Sequence, residues 1–257
     1  VYQQNDNSIV WARRSDGRLL GMTYLREQDI YGWHQHVTST AAGESDIESL
    51  AVVPEEDEDV LYAVIARSVG GSTVRYIERL ESREISTLAA DAIFLDSSLS
   101  LVSGGTASSL TGLDHLEGQT VGVVANGVYI GTFTVSSGTV TLGDTYTVPI
   151  HAGLLYESDL ETLDLDIADS DVRARKKRVG GASLLLWKSD RQFQVGTTTG
   201  TLAAQPAPTD GISEFSGLVP DIPLTTSWND EGRVFLRMAR PLPLTILSVI
   251  PMAETGG

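Results

Sequence analysis

The chain has 257 residues, with 34 Asp+Glu against 18 Lys+Arg, a formal charge of −16, 25 glycines and no cysteine. The missing cysteine excludes a disulfide framework, a thiolate metal site and a cysteine nucleophile, and 41% hydrophobic residues is too apolar for general disorder. No stretch approaches the ~18 uninterrupted apolar residues of a membrane-spanning helix, and VYQQNDNSIVW lacks the basic and apolar regions of a signal peptide.

From the amino end, Ser8 to Arg13 (SIVWAR) and Leu19 to Leu25 (LLGMTYL) read as a hairpin around Ser15-Asp16-Gly17, where glycine is free to take positive φ. The start at Val1, in a segment that already reads as strand, suggests a piece of a longer chain. Further strands are expected at Gly32 to Thr38, Ile47 to Val53, Val60 to Arg67 and Thr73 to Leu80, separated by TAAGES, PEEDED and a Gly-Gly pair. Antiparallel strands at roughly 8–12-residue spacing form one blade of a β-propeller, and a sandwich sheet has the same signature.

Residues 84–108 turn Ser/Gly/Thr-rich and read as a connector or irregular edge. The following block is the clearest small module. Thr120 to Ala125 and Val128 to Thr132 flank Asn126-Gly127, the pair suited to a type I′ turn; Phe133 to Val135 and Thr139 to Leu142 flank Ser136-Ser137-Gly138, and Tyr146 to Ile150 is a further strand. A compact sandwich or barrel of about 60 residues closes this pattern.

Beyond it runs ESDLETLDLDIADSDVRARKKRVGG, seven acids followed by five bases within Arg173 to Arg178. The best helix candidate is Ser158 to Ile167, which is short. Strands return at Ala182 to Trp187, Gln192 to Gly196, Arg233 to Met238 and Leu244 to Ile250, and the proline-bearing stretch 203–224 reads as a loop or extended arm, because proline cannot donate in a central ladder. The class is all-β: partial propeller-like antiparallel sheets with an inserted small β-sandwich or barrel module. The boundaries are 1–97 for the propeller-like region, 98–156 for the inserted module, and 157–257 for an acidic/basic linker and completing strands.

Enzymatic signatures are absent where they would be readable: there is no HExxH, GxSxG, phosphate-binding loop or dinucleotide fingerprint. No catalytic, cofactor-binding or metal-ligating residue is assigned, and no cofactor is expected. His34 and His36 share one face of a strand and have the spacing to chelate a divalent metal, but no third ligand follows in a fixed motif. His115 and His151 complete the four histidines. The acidic run Glu55 to Asp59 and the series Asp164, Asp166, Asp169, Asp171 have the oxygen chemistry for calcium without its loop spacing, and read as a solvated hairpin tip and a charged linker. Arg173 to Arg178 has the charge to bind phosphate, yet it follows directly on acids, so an internal or inter-subunit partner is at least as good a match. In a continuing strand, Arg173, Arg175 and Lys177 would share one face, with Ala174, Lys176 and Arg178 on the other. Trp11, Trp33, Trp187 and Trp228 read as core or inter-blade anchors, with sugar stacking as the other use of such rings. Between Arg83 and Arg173 there is no Lys or Arg and thirteen acids, a surface that disfavours gripping nucleic acid.

Several segments together resemble a known family. Trp33-His34, Val52-Val53-Pro54, the apolar strand Val60 to Arg67 and the strand Arg75 to Leu80 recur in this order in podophage tail proteins of the tail tubular protein B kind, the hub or nozzle of the tail. Leu113-Asp114-His115-Leu116-Glu117-Gly118, the Asn126-Gly127 turn, the TVSSGTVTL hairpin and Gly153-Leu154-Leu155-Tyr156 are similar to the small module that interrupts such proteins. Arg240-Pro241-Leu242-Pro243-Leu244 looks like part of their closing strands. The resemblance implies a structural virion component, a ring of six subunits around the path of ejected DNA, made in the bacterial cytoplasm. Its partners would be copies of itself and neighbouring tail proteins, with DNA passing through unbound and no membrane span. It carries no catalytic residues. The rival classes are a host-glycan-binding adhesin or carbohydrate-recognition module and a propeller hydrolase acting through carboxylates.

Overall fold

Period-two alternation of apolar side chains organises the amino-terminal strands. The computed structural model describes all residues except 5–7, 39–44, 56–57, 83–90, 167–174, 209–213 and 257. β1 (Tyr2–Gln3), β2 (Ile9–Arg13), β3 (Leu19–Leu25) and β4 (Ile30–His36) form an antiparallel meander in chain order, and β5 (Asp46–Glu55), β6 (Glu58–Val69) and β7 (Ser72–Arg79) form a second. Ile9, Trp11 and Leu19 from the first sheet share one core with Ile47, Leu61, Ala63 and Ile65 from the second. Each sheet thus contributes one apolar face, which is sandwich packing. The strand at Gly32 to Thr38 belongs with the first hairpin and not with the three strands after it. No described sheet closes into a barrel. The all-β class holds, while the propeller-like arrangement is not established by these sheets.

A second core follows. β8 (Asp96–Leu101), β9 (Thr106–Thr111), β10 (Thr120–Ala125), β11 (Val128–Thr134), β12 (Thr139–Thr147) and β13 (Ile150–Leu154) make a four-stranded sheet in the order β11-β10-β13-β8 and a two-stranded pair, β12-β9. Leu110, Leu113, Leu116, Val121, Val123, Val140, Ile150 and Leu154 fill the space between them. Asn126 and Gly127 both have positive φ, at 47° and 75°, as a type I′ turn demands. Two expectations are corrected here. The Ser/Gly/Thr-rich stretch supplies the strands β8 and β9, because the ladders of β8 with the apolar β13 and of β9 with β12, together with the burial of Leu110, outweigh a composition typical of loops. Tyr146 to Ile150 is not one strand: β12 ends at Thr147, and β13 starts at Ile150 after Val148-Pro149.

The chain divides into two compact units, Val1–Tyr156 and Glu157–Gly257. The second holds β14 (Ser158–Glu161), β15 (Lys177–Ser189), β16 (Gln194–Gly196), β17 (Ala203–Ala204), β18 (Phe215–Pro223), β19 (Phe235–Met238) and β20 (Thr245–Thr255), in sheets ordered β14-β19-β16-β17 and β18-β15-β20. Val179, Ala182, Leu184, Leu186, Phe193, Val195, Ile222, Val234 and Leu236 are buried. The helix candidate at Ser158 is a strand instead, since its residues pair with Phe235 to Met238, and a ladder with a distant partner overrides a weak local periodicity. The proline-bearing stretch is likewise partly strand. Pro220 and Pro223 lie in β18, an outermost strand, where a missing N–H is tolerated. No described helix is long and apolar enough to cross a membrane.

Candidate functional site

Alternation on β4 puts His34 and His36 on the same face, as their spacing predicts, and the sheet turns that face inward over Trp11. Their rings lie 5.7 and 5.1 Å from the Trp11 ring, His34 Nδ1 is 2.7 Å from His36 Nε2, and Thr23 Oγ1 is 3.3 Å from His34 Nε2. An imidazole–imidazole hydrogen bond needs one N–H and one lone pair, so the two nitrogens face each other and not a shared ion. Gly21, paired across the ladder with His34, makes room for the ring: a Cβ there would fall 2.1 Å from His34 Cε1. Among the described residues no group of three His, Asp or Glu is placed to hold a metal. His115 donates from Nε2 to the Ser97 carbonyl at 2.9 Å, with its ring against Tyr76. The buried His151 has Nδ1 2.7 Å from Ser100 Oγ, between ladder-paired strands.

The charged candidates are engaged within their own units. Glu55 and Glu58 flank Arg79 at 3.2 and 3.0 Å, Glu55 also accepts from the Tyr62 hydroxyl, and Asp59 accepts from the Gln4 N–H. The Tyr62 hydroxyl, with Arg79 behind it, holds the Glu55 carboxyl below its usual range. Glu56 and Asp57 lie outside the described residues, as do Asp169, Asp171 and Arg173. The acidic run after Tyr156 pairs with arginines that arrive about seventy residues later: Arg237 forks onto Asp159 at 2.7 Å and meets Glu157 at 2.7 Å, while Arg233 meets Asp164 at 2.6 Å and Glu161 at 3.2 Å. The basic cluster meets other acids. Lys176 pairs with Asp230 at 3.0 Å, Arg178 with Glu254 at 3.6 Å, and the buried Lys177 donates to the Asp230 carbonyl at 2.6 Å. Lys177 and Arg178 do fall on opposite faces of β15, the first buried and the second exposed.

One charged cluster is interior. Arg67, 2% exposed, forks onto Glu78 with both contacts at 2.6 Å and lies 3.8 Å from Asp96. Burial alone would lower its pKa, and the Glu78 hydrogen bonds with the Asp96 charge more than offset this. Tyr156 is pushed up by burial and by the Asp96 charge.

What remains for recognition is apolar. Of the four tryptophans only Trp11 is a core anchor; Trp33, Trp187 and Trp228 are 67%, 45% and 46% exposed, which corrects the expectation for those three. The strands of Trp33 and Trp187 carry apolar residues at both parities with only one parity covered, and Trp228 lies in the connection between β18 and β19. On the last sheet, Leu185, Trp187, Leu218, Leu247 and Ile250 are exposed. Leu185 pairs with Leu218, Ser183 with Ile250 and Trp187 with Thr245, so Leu185, Trp187, Leu218 and Ile250 share one face, while Leu247 lies at a register shift of β20. On the first sheet, Tyr2 pairs with Val10, Val10 with Met22, and Met22 with Trp33, a continuous row across all four strands on the face opposite the Trp11 core. Tyr24 pairs with Tyr31 on that face, with ring centroids 5.4 Å apart. Sequence reading missed this surface. Its signal was available in the second parity of SIVWAR, LLGMTYL and IYGWHQH, which is apolar too. No protein-family profile matches the chain, and no curated protein matches it.

Proposed function

We propose that the chain is a non-catalytic structural subunit of a bacteriophage tail, packed against copies of itself and neighbouring tail proteins around the exit path of DNA in the virion. The tail assignment comes from the resemblance in the strands of residues 33–80 and in the 113–156 module. The observation that carries the assembly role is the exposed apolar face of sheet β18-β15-β20, with Leu218 and Ile250 each at 49% exposure. A subunit interface has such an apolar centre with few charges, and large exposed apolar patches mark interaction surfaces. A charge of −16, with Lys176, Lys177 and Arg178 engaged by Asp230 and Glu254, suits a conduit that must release the DNA it conducts.

Negative-stain microscopy of the purified chain, with immunogold labelling of virions, tests this reading. A ring or tube with an axial channel, weakened by Leu218→Glu at unchanged melting temperature, is the expected result. A strictly monomeric protein with no virion label overturns it.

A further inference from the structure

The outer face of the first sheet differs in chemistry from the aliphatic face of the last. Its most exposed side chains are aromatic and stand on the two outer strands: Trp33 is 67%, Tyr31 57% and Tyr2 48% exposed. Tyr2 and Trp33 end one register row three inter-strand steps long, a span of about 14 Å, and Tyr31 stands about 7 Å along β4 from Trp33. The platform is therefore long enough for several consecutive sugar units.

Charge decides among ligands that use aromatic rings. The residues that pair on this face (Tyr2, Val10, Met22 and Trp33; Ala12, Leu20 and Gln35; Tyr24 and Tyr31) include no Asp, Glu, Lys or Arg, in a chain of net charge −16. At the adjoining hairpin tip, Arg14 and Arg18 both pair with Asp16, and Arg14 also donates to Gln35 Oε1 at 3.3 Å, a single ion-paired cation at one end of the face. Nucleic-acid bases stack on such rings, but single-strand sites pair the rings with a cationic groove for the phosphates, which is missing on this face. Anionic polysaccharides meet the same objection. A neutral sugar chain does not: its C–H faces lie on aromatic rings, and its hydroxyls find the phenol hydroxyls of Tyr2, Tyr24 and Tyr31 and the amide of Gln35. Tyr and Trp supply this pairing of an apolar body with a polar tip.

We infer that the outer face of sheet β1-β2-β3-β4 is a docking site for a neutral polysaccharide, with Trp33 and Tyr31 as its principal stacking platforms. This site is separate from the face assigned to assembly, so either can fail while the other stands.

Native affinity electrophoresis of the full chain tests it, with dextran, mannan, galactomannan or hydroxyethyl cellulose cast in the gel and alginate as the anionic control. Retardation in at least one neutral gel and none in alginate is expected. Trp33→Ala should weaken it by about tenfold or more, the loss of one stacking platform. Tyr31→Ala should weaken it less, and Trp228→Ala should leave it unchanged, all at the wild-type melting temperature. No retardation in any neutral gel overturns the site, as does retardation that survives Trp33→Ala. So does a concentration-dependent oligomer that Trp33→Ala dissolves, which would give this face to a second copy of the chain.

Discussion

The carboxylate of Glu117 accepts the backbone N–H of Gly138 at 2.8 Å and that of the preceding Ser137 at 2.9 Å, across 21 and 20 residues of chain. Both donors sit in a turn with positive φ, at 52° for Ser137 and 65° for Gly138, so their N–H groups converge on one side. Two segments singled out in the sequence, Leu113 to Gly118 and the TVSSGTVTL hairpin, are thus one clamp.

These hydrogen bonds hold the Glu117 pKa below its usual value. A depressed carboxylate contributes stability that is present above the unfolded pKa, about 4.3, and is lost as pH falls through the folded one. Glu117→Gln mimics the protonated acid. The wild type is therefore expected to melt above Glu117→Gln at pH 7, with the difference shrinking below about pH 4. Calorimetric scans across that range check it, and a gap that persists or widens in acid would contradict the clamp.

Removing the buried Arg67 leaves the half-buried carboxylates of Glu78 and Asp96 without their shared cation. Arg67→Ala should lower unfolding free energy by about 3–5 kcal/mol. The double change Arg67→Met with Glu78→Leu should recover part of that loss, since apolar side chains of similar volume often replace a buried pair at little cost. Urea titration of the three proteins measures this, and a double variant less stable than Arg67→Ala would refute it.

Gly21 and Gly32 lie on adjacent strands with opposite surroundings. A Cβ at Gly21 would strike the His34 ring, whereas one at Gly32 meets nothing within 4 Å. Gly21→Ala is expected to cost about 1–3 kcal/mol by overpacking, and Gly32→Ala to be neutral or to stabilise by up to about 1 kcal/mol. Equal melting temperatures for the two variants would mean that the His34 ring moves aside freely.

Because Asp230 and Glu254 engage the basic cluster, the wild-type chain should not bind duplex DNA measurably at roughly 0.15 M salt. Asp230→Lys with Glu254→Lys removes both partners and should produce weak, steeply salt-dependent binding in fluorescence anisotropy. Tight wild-type binding at that salt would contradict both this assignment and the conduit reading.

Local rules made part of this fold legible. Asn126-Gly127 announced its hairpin because both positions need positive φ, and Ile9, Trp11 and Leu19 announced a buried face by alternation. Where the deciding energy is non-local, the reading failed. Ser158 to Glu161 becomes strand because β19 lies about eighty residues on, with Arg237 ready for Asp159. Exposure of Trp33 was not legible for a related reason. Both faces of β4 offer apolar or aromatic side chains, and only the packing of the second sheet on the Trp11 side decides which one stays in water.

Pro54, Pro220, Pro223 and Pro251 all lie on outermost strands of three-stranded sheets. Each deprives its own rim of a backbone donor, so β5, β18 and β20 are poor templates for strand addition by a neighbouring chain. Beside those three rims, contacts between molecules fall to side chains on the sheet faces, where a single substitution can tune adhesion without disturbing the backbone. Under crowding, those three strands are guarded against edge-to-edge fusion.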